Sequence, residues 1–228
     1  MRDRAFFSLP LHFHSNSHYI HPPATDVPFH TNYLEQSMKS IKGTKTEKNL
    51  LAAFAGESQA RNRYTFFTSQ AKKEGFEHIA AIFDETADNE KEHAKRFFKF
   101  LEGGEVEITA AYPAGIIGTT RENLKAAADG EQFEHTTLYP AFAGIAKEEG
   151  LPEVAAAFRA IALVEVQHEK RYRKLLKDVE EGRVFKKEKV VRWKCRNCGY
   201  IHEGKNPPQK CPACEHPEAF FEVVEGIE

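Results

Sequence analysis

Two stretches, FDETADNEKEHAKRF at residues 83–97 and FRAIALVEVQHEKRY at residues 158–172, decide how the rest of the chain is read. Each carries Glu-x-x-His, as Glu90/His93 and Glu165/His168. That spacing sets a carboxylate and an imidazole about 60° apart, on one face of a helix. The two stretches are related by a shift of 75 residues, which also lays Ala71, Lys72, Glu74 and Gly75 on Ala146, Lys147, Glu149 and Gly150, and Tyr64 on Tyr139. Farther upstream the shift is 74, matching Asn49, Leu50, Gly56 and Glu57 to Asn123, Leu124, Gly130 and Glu131. The chain therefore holds a duplicated helical hairpin with one extra residue between Glu131 and Tyr139. A single insertion inside a helix is commonly absorbed as a π-bulge, and such bulges collect at functional sites, so one is expected there.

Outward from these stretches, apolar residues recur at helical spacing and glycines punctuate them. Thr44 with Glu47 and Thr119 with Glu122 have capping-box spacing. Helices are predicted over residues 46–73, 77–101, 119–148 and 152–181, with Gly75, Gly103, Gly150 and Gly182 as stops. Gly103 to Gly118, with Pro113 inside it, reads as a long connection. Short, long and short connections between four helices describe a mainly α fold, a four-helix bundle with one long crossover. After Gly182 the pattern changes to β-like segments at 190–194, 199–202 and 219–224, interleaved with Cys195-x-x-Cys198 and Cys211-x-x-Cys214.

Glu57 and Glu131 are repeat-related single carboxylates on the first and third helices, and Glu134 lies one turn beyond Glu131. A lone Glu-x-x-His is ordinarily a solvated face. Two at equivalent places in a duplicated hairpin, each with a glutamate on the preceding helix, reverse that reading. Gathered in a bundle core, five carboxylates and two imidazoles cannot stay ionised together without added positive charge. Two cations supply it, and oxygen-rich ligation with one histidine per metal favours iron or manganese over a structural zinc. Tyr64, seven residues after Glu57, and its repeat equivalent Tyr139 read either as plain core tyrosines or as residues whose hydroxyls reach a carboxylate from behind, and the paired position favours the second. Glu92, Glu148, Glu149, Glu153 and Glu169 are read as surface charges, and His78 and His135 as structural or exposed.

All four cysteines fall in the last 34 residues, as two pairs. The clustering points to a metal site in a reducing, cytoplasmic compartment and away from a disulfide framework. Four thiolates at this spacing suit one iron or one zinc, and a domain of about 40 residues needs that metal to hold it together.

On Ala55-Gly56-Glu57-Ser58-Gln59-Ala60-Arg61, the two Glu-x-x-His segments, Tyr139-Pro140 and the Cys195–Cys214 module, the chain resembles the rubrerythrin family from about Met38 to its end. The resemblance implies a ferritin-like bundle over 38–183 and a rubredoxin-like domain over 184–228. It implies a di-iron site held by Glu57, Glu90, His93, Glu131, Glu134, Glu165 and His168, and a third iron held by Cys195, Cys198, Cys211 and Cys214. The activity implied is reduction of hydrogen peroxide to water, protecting against oxidative stress, with electrons relayed through the tetrathiolate iron. The electron source would be a protein such as rubredoxin or a NAD(P)H-dependent reductase. A homodimer or higher homo-oligomer is implied too. The alternative within the same fold is a ferroxidase or iron-handling protein, which would need a shell-forming assembly and would have no use for the thiolate domain.

The rest of the chain excludes more than it suggests. Of 228 residues, 41% are hydrophobic and 29% charged, with a net charge of −2, which gives no support to a nucleic-acid binder. No apolar run approaches the ~20 residues of a membrane span. Residues 1–37 hold five of the eleven histidines and no helical period, and read as a disordered extension, with Met38 a candidate first residue.

Overall fold

Thr44 opens the first helix by accepting the Glu47 N–H on its hydroxyl, and α1 then runs Lys45–Lys73. The computed structural model describes residues 39–224, so the expectations for residues 1–37 lie outside the described residues. Glu47 makes only half of the capping box, because its carboxylate accepts from the Gly43 N–H and not from Thr44. Gly75, at φ +80°, closes α1: the Phe76 N–H donates to the Ala71 carbonyl and the Gly75 N–H to the Lys72 carbonyl. This paired closure needs a left-handed residue, which glycine supplies without a Cβ clash.

Helix α2 spans Glu77–Phe98, shorter than the sequence suggested, because the chain leaves it in a turn through Leu101. The long connection follows, fastened to α1 by the Tyr112 hydroxyl donating to the Ala52 carbonyl at 2.8 Å. Helix α3, Thr120–Phe133, starts with a reciprocal capping box of Thr119 and Glu122. The extra residue of the repeat is taken up at Glu134–Leu138, a π turn in which the Tyr139 N–H reaches the Glu134 carbonyl. Helix α4, Tyr139–Glu148, continues the same rod, and α5, Pro152–Glu180, completes the bundle.

Glu74 and Glu149, repeat-related residues just past the first and third rods, cap each other's partner. Glu74 accepts the Thr120 N–H, and Glu149 accepts the Lys45 and Thr46 N–H groups. Glu149 is thus not the idle surface charge expected of it; a carboxylate at a helix start satisfies orphan donors and complements the dipole.

Two apolar layers fill the bundle, and the repeat relates them. One packs Tyr64, Phe83 and Tyr172 with Phe67 and Leu124; the other packs Tyr139, Phe158 and Phe97 with Leu50 and Ile161. The Phe83 and Tyr172 ring centroids lie 5.2 Å apart, and those of the equivalent pair Phe158 and Phe97 4.9 Å. Every residue of the carboxylate cluster falls in sequence between the members of these layers, so the polar centre is closed by aromatic rings at both ends.

The C-terminal segment forms a three-stranded antiparallel sheet in the order β2-β1-β3, from β1 (Val191–Cys195), β2 (Ile201–Gly204) and β3 (Phe221–Val223). Its core is Trp193, Cys195, Cys211 and Phe221. Among the described residues, no helix is long and apolar enough to cross a membrane.

Phe158 is fully buried against three other aromatic rings. Phe158→Ala is expected to lower the stability of the metal-free protein by about 3–5 kcal/mol, read from the urea midpoint at unchanged slope.

Candidate metal centre

Glu57 on α1, Glu90 and His93 on α2, Glu131 on α3, and Glu165 and His168 on α5 converge in the middle of the bundle. Their donor atoms form two overlapping groups, Glu57–Glu90–His93–Glu165 and Glu90–Glu131–Glu165–His168, each with all four atoms within 4.8 Å of one another. Glu90 and Glu165 belong to both. Glu90 turns Oε2 to His93 Nδ1 at 2.7 Å and Oε1 to His168 Nδ1 at 3.2 Å. Glu165 turns Oε1 to His93 Nδ1 at 3.0 Å and Oε2 to His168 Nδ1 at 2.7 Å. Each of these carboxylates therefore offers one oxygen to each position, and Glu57 and Glu131 each join only one of the two groups.

Most of these short approaches are not hydrogen bonds. Glu57 Oε2, Glu90 Oε1, Glu131 Oε2, both Glu165 oxygens and His168 Nδ1 are buried without a hydrogen-bond partner. Six orphaned donor atoms in one pocket would be a large desolvation cost unless something between them accepts their lone pairs. Two cations do so, and the donor set, all carboxylate oxygen with one imidazole nitrogen per position, fits iron.

The electrostatics agree. Burial pushes Glu57 well above the usual carboxylate range, with the charge of Glu134 adding to it. Burial and the Glu90 charge raise Glu131 to about 8. Glu134 also rises well above its ordinary value through burial and the nearby Glu131, although part of its surface reaches solvent. His93 and His168 go the other way: burial lowers them, but their carboxylate neighbours outweigh it and hold them at about 10 and about 12. Without metal, the imidazolium ions and retained carboxyl protons supply the charge balance that cations would otherwise provide.

Of the seven bundle residues singled out from the sequence, six meet in these two groups; Glu134, on the π turn, lies outside both. The tyrosines pair crosswise. Tyr64 on α1 donates to Glu131 Oε1 on α3 at 2.5 Å, and Tyr139 on α4 donates to Glu57 Oε1 on α1. Glu169, expected on the surface, is instead held between His135 Nε2 at 2.7 Å and Arg173 Nε at 3.2 Å. His78 meets Glu222 of β3 at 2.9 Å. Asn89 was missed altogether: its Oδ1 lies 3.3 Å from His168 Nε2. Only a comparison of position 89 with its repeat equivalent, Val164, signals it.

In the C-terminal module Cys195 and Cys214 Sγ lie 3.7 Å apart, and Cys198 and Cys211 Sγ 3.6 Å. A tetrahedral ion with sulfur bonds of about 2.3 Å sets its ligands about 3.8 Å apart, so the four thiols already stand at the corners of a metal cage. The backbone N–H of His216 draws the Cys214 thiol down to about 6, which favours the ligating thiolate.

A helical bundle with a carboxylate-bridged dinuclear centre, followed by a tetrathiolate knuckle, defines the ferritin-like di-iron class with a rubredoxin-like domain. The rubrerythrin family model matches residues 48–176, and the model of the rubredoxin-like domain of rubrerythrin matches 193–222. A rubrerythrin of Porphyromonas gingivalis is 66% identical over 186 residues, covering 82% of this chain and 93% of its own. One of Nitratidesulfovibrio vulgaris is 60% identical over 187 residues, covering 82% and 98%. The fully reduced, all-ferrous structure of nigerythrin superposes with a TM-score of 0.53 at 32% identity, covering 82% of this chain and 93% of that one. The chain belongs to the rubrerythrin family.

Glu131 has a folded pKa of about 8, above its value in an unfolded chain, so the folded metal-free protein binds more protons than the unfolded one between about pH 4.5 and 8. Its stability contribution is present below that window and lost through it. Melting midpoints of the chelator-treated protein are expected to fall as pH rises from 5 to 8. Metal affinity should rise over the same range, because the ligands must shed those protons.

Proposed function

We propose that this chain is a non-haem di-iron peroxidase that reduces hydrogen peroxide to water, with the tetrathiolate iron relaying electrons to the bundle. The observation that carries the reading is the division of Glu90 and Glu165 between two imidazole-marked positions, which suits a pair of metal ions acting together on one small substrate. A fused one-electron centre favours a reductase over an iron store.

Bound iron would supply the two electrons that peroxide takes up and be refilled one electron at a time through the four-cysteine site. The chain's own contribution is placement and proton control. Tyr64 and Tyr139 hold one oxygen each of Glu131 and Glu57, while the other oxygen of each is buried without a hydrogen-bond partner. Burial and those same carboxylates keep both phenols far above their usual pKa, so they remain donors throughout the working pH range. The aromatic layers above and below exclude bulk water, which strengthens each charge interaction inside. The electron source would be a separate redox protein, rubredoxin or a NAD(P)H-dependent reductase, and the working unit a homodimer or larger homo-oligomer.

In stopped flow, the anaerobically reduced full chain should be oxidised by hydrogen peroxide at both centres, with about three irons per chain by the ligand counting above. Glu90→Ala and His168→Ala should each slow this by about 100-fold or more, since removing a ligand exceeds the effect of losing an outer partner. Rapid turnover of added ferrous iron with oxygen, together with indifference to peroxide, would favour the ferroxidase instead.

Tyr64→Phe and Tyr139→Phe remove only the outer hydrogen bond. Each is expected to cost about 10–100-fold in peroxide-driven oxidation while iron content is retained.

A further inference from the structure

A cleft of about 770 Å³ lies between α2, α5 and the three-stranded sheet, within the ~300–1,000 Å³ typical of sites for small organic ligands. Its seam is held by specific contacts. The Phe76 and Phe185 rings stack at 6.1 Å, His78 Nδ1 meets Glu222 Oε2 at 2.9 Å, and Lys187 Nζ reaches Asp178 Oδ2 at 2.7 Å. Ile82 and Leu175 of the helices and Val191 and Phe221 of the sheet give the cleft an apolar lining, and six lysines and arginines stand around it against three carboxylates. Two of those carboxylates already hold cations: Asp178 takes Lys187, and Glu222 takes Lys194 at 2.7 Å and Arg196 besides. Arg171 commits its two terminal nitrogens to Glu85 and Thr86, and Arg183 its Nη2 to Asp178 and Glu181. The Nε of each, however, is buried with no hydrogen-bond partner. Lys189 also lines the cleft, exposed and without an ion-pair partner among the described residues.

We propose that this cleft is a binding site for a mononucleotide, a molecule with a flat aromatic ring for the apolar lining and a phosphate for the arginines and lysines. Buried N–H donors without acceptors are costly, and a phosphate supplies acceptor oxygens in the geometry that a guanidinium matches best. A purely apolar guest would leave both Nε donors orphaned and the excess of cations unbalanced. A bare inorganic anion would leave the apolar lining unfilled. Arg171 follows His168 by three residues on α5, and Phe221 pairs with Cys195 in the sheet and shares its core, so the cleft walls adjoin both candidate metal sites. The ring belongs either to a flavin or to an adenine nucleotide, which share this chemistry. The inference goes beyond the proposed peroxidase reaction and does not depend on it.

The test is equilibrium dialysis of the metal-loaded full chain against flavin mononucleotide and adenosine monophosphate, each beside its phosphate-free form, riboflavin or adenosine. Saturable binding of one molecule per chain is expected for at least one mononucleotide, and the one that binds assigns the ring. Its phosphate-free form should bind about 10–100-fold more weakly, and rising salt should weaken the phosphorylated form far more than the other. Arg171→Ala and Arg183→Ala should each weaken binding by about 10-fold or more. Lys189→Glu, a change at an exposed side chain, should weaken it by about 3–5-fold with the melting midpoint unchanged, which separates loss of charge from a packing defect. No saturable uptake of either mononucleotide at millimolar concentration would overturn the inference. So would equal affinity for the phosphate-free forms, or binding that neither Arg183→Ala nor Lys189→Glu alters.

Discussion

Crowding of acidic side chains in a dry helical interior is the constraint on which the rest of this structure depends. Glu57, Glu90, Glu131 and Glu165 are each essentially sealed from solvent, and several of their oxygens have nothing to bond. No apolar core tolerates such a set unless positive charge stands among them. The aromatic layers, the crosswise tyrosines and the interlocked helix caps of Glu74 and Glu149 all keep four rods in register against that repulsion. The buried centre is held between two well-packed ends, with aromatic layers on either side of it.

Duplication gave the centre its near-symmetry, and the structure departs from that symmetry at particular residues. Tyr64 and Tyr139 exchange partners across the bundle, so each half of the repeat holds a buried glutamate of the other. The extra residue in the third rod turns one stretch into a π turn and sets Glu134 beside the centre, outside both donor groups.

Much of this was legible in the sequence because the repeat makes ordinary residues comparable. Glu90 and His93 alone are unremarkable helix residues; their match to Glu165 and His168, each preceded by a paired glutamate, marks a buried site. The 74-to-75 change of shift located the π turn, and the cysteine spacing located the thiolate cage. Contacts set by which helices become neighbours were not legible. Glu149 looked like a surface charge because the helix start it caps lies more than a hundred residues away in sequence, and Glu169 because its partner His135 lies on another rod. The second helix ended early because the closing turn through Leu101 carries no strong stop before Gly103.

The most direct measurement is anomalous diffraction at the iron absorption edge from crystals of the iron-loaded chain. Two peaks are expected within the bundle, one bounded by Glu57, Glu90, His93 and Glu165 and the other by Glu90, Glu131, Glu165 and His168, and a third among the four cysteines. Density confined to the cysteines, with the glutamates of the bundle paired only to protonated histidines, would contradict a di-iron centre.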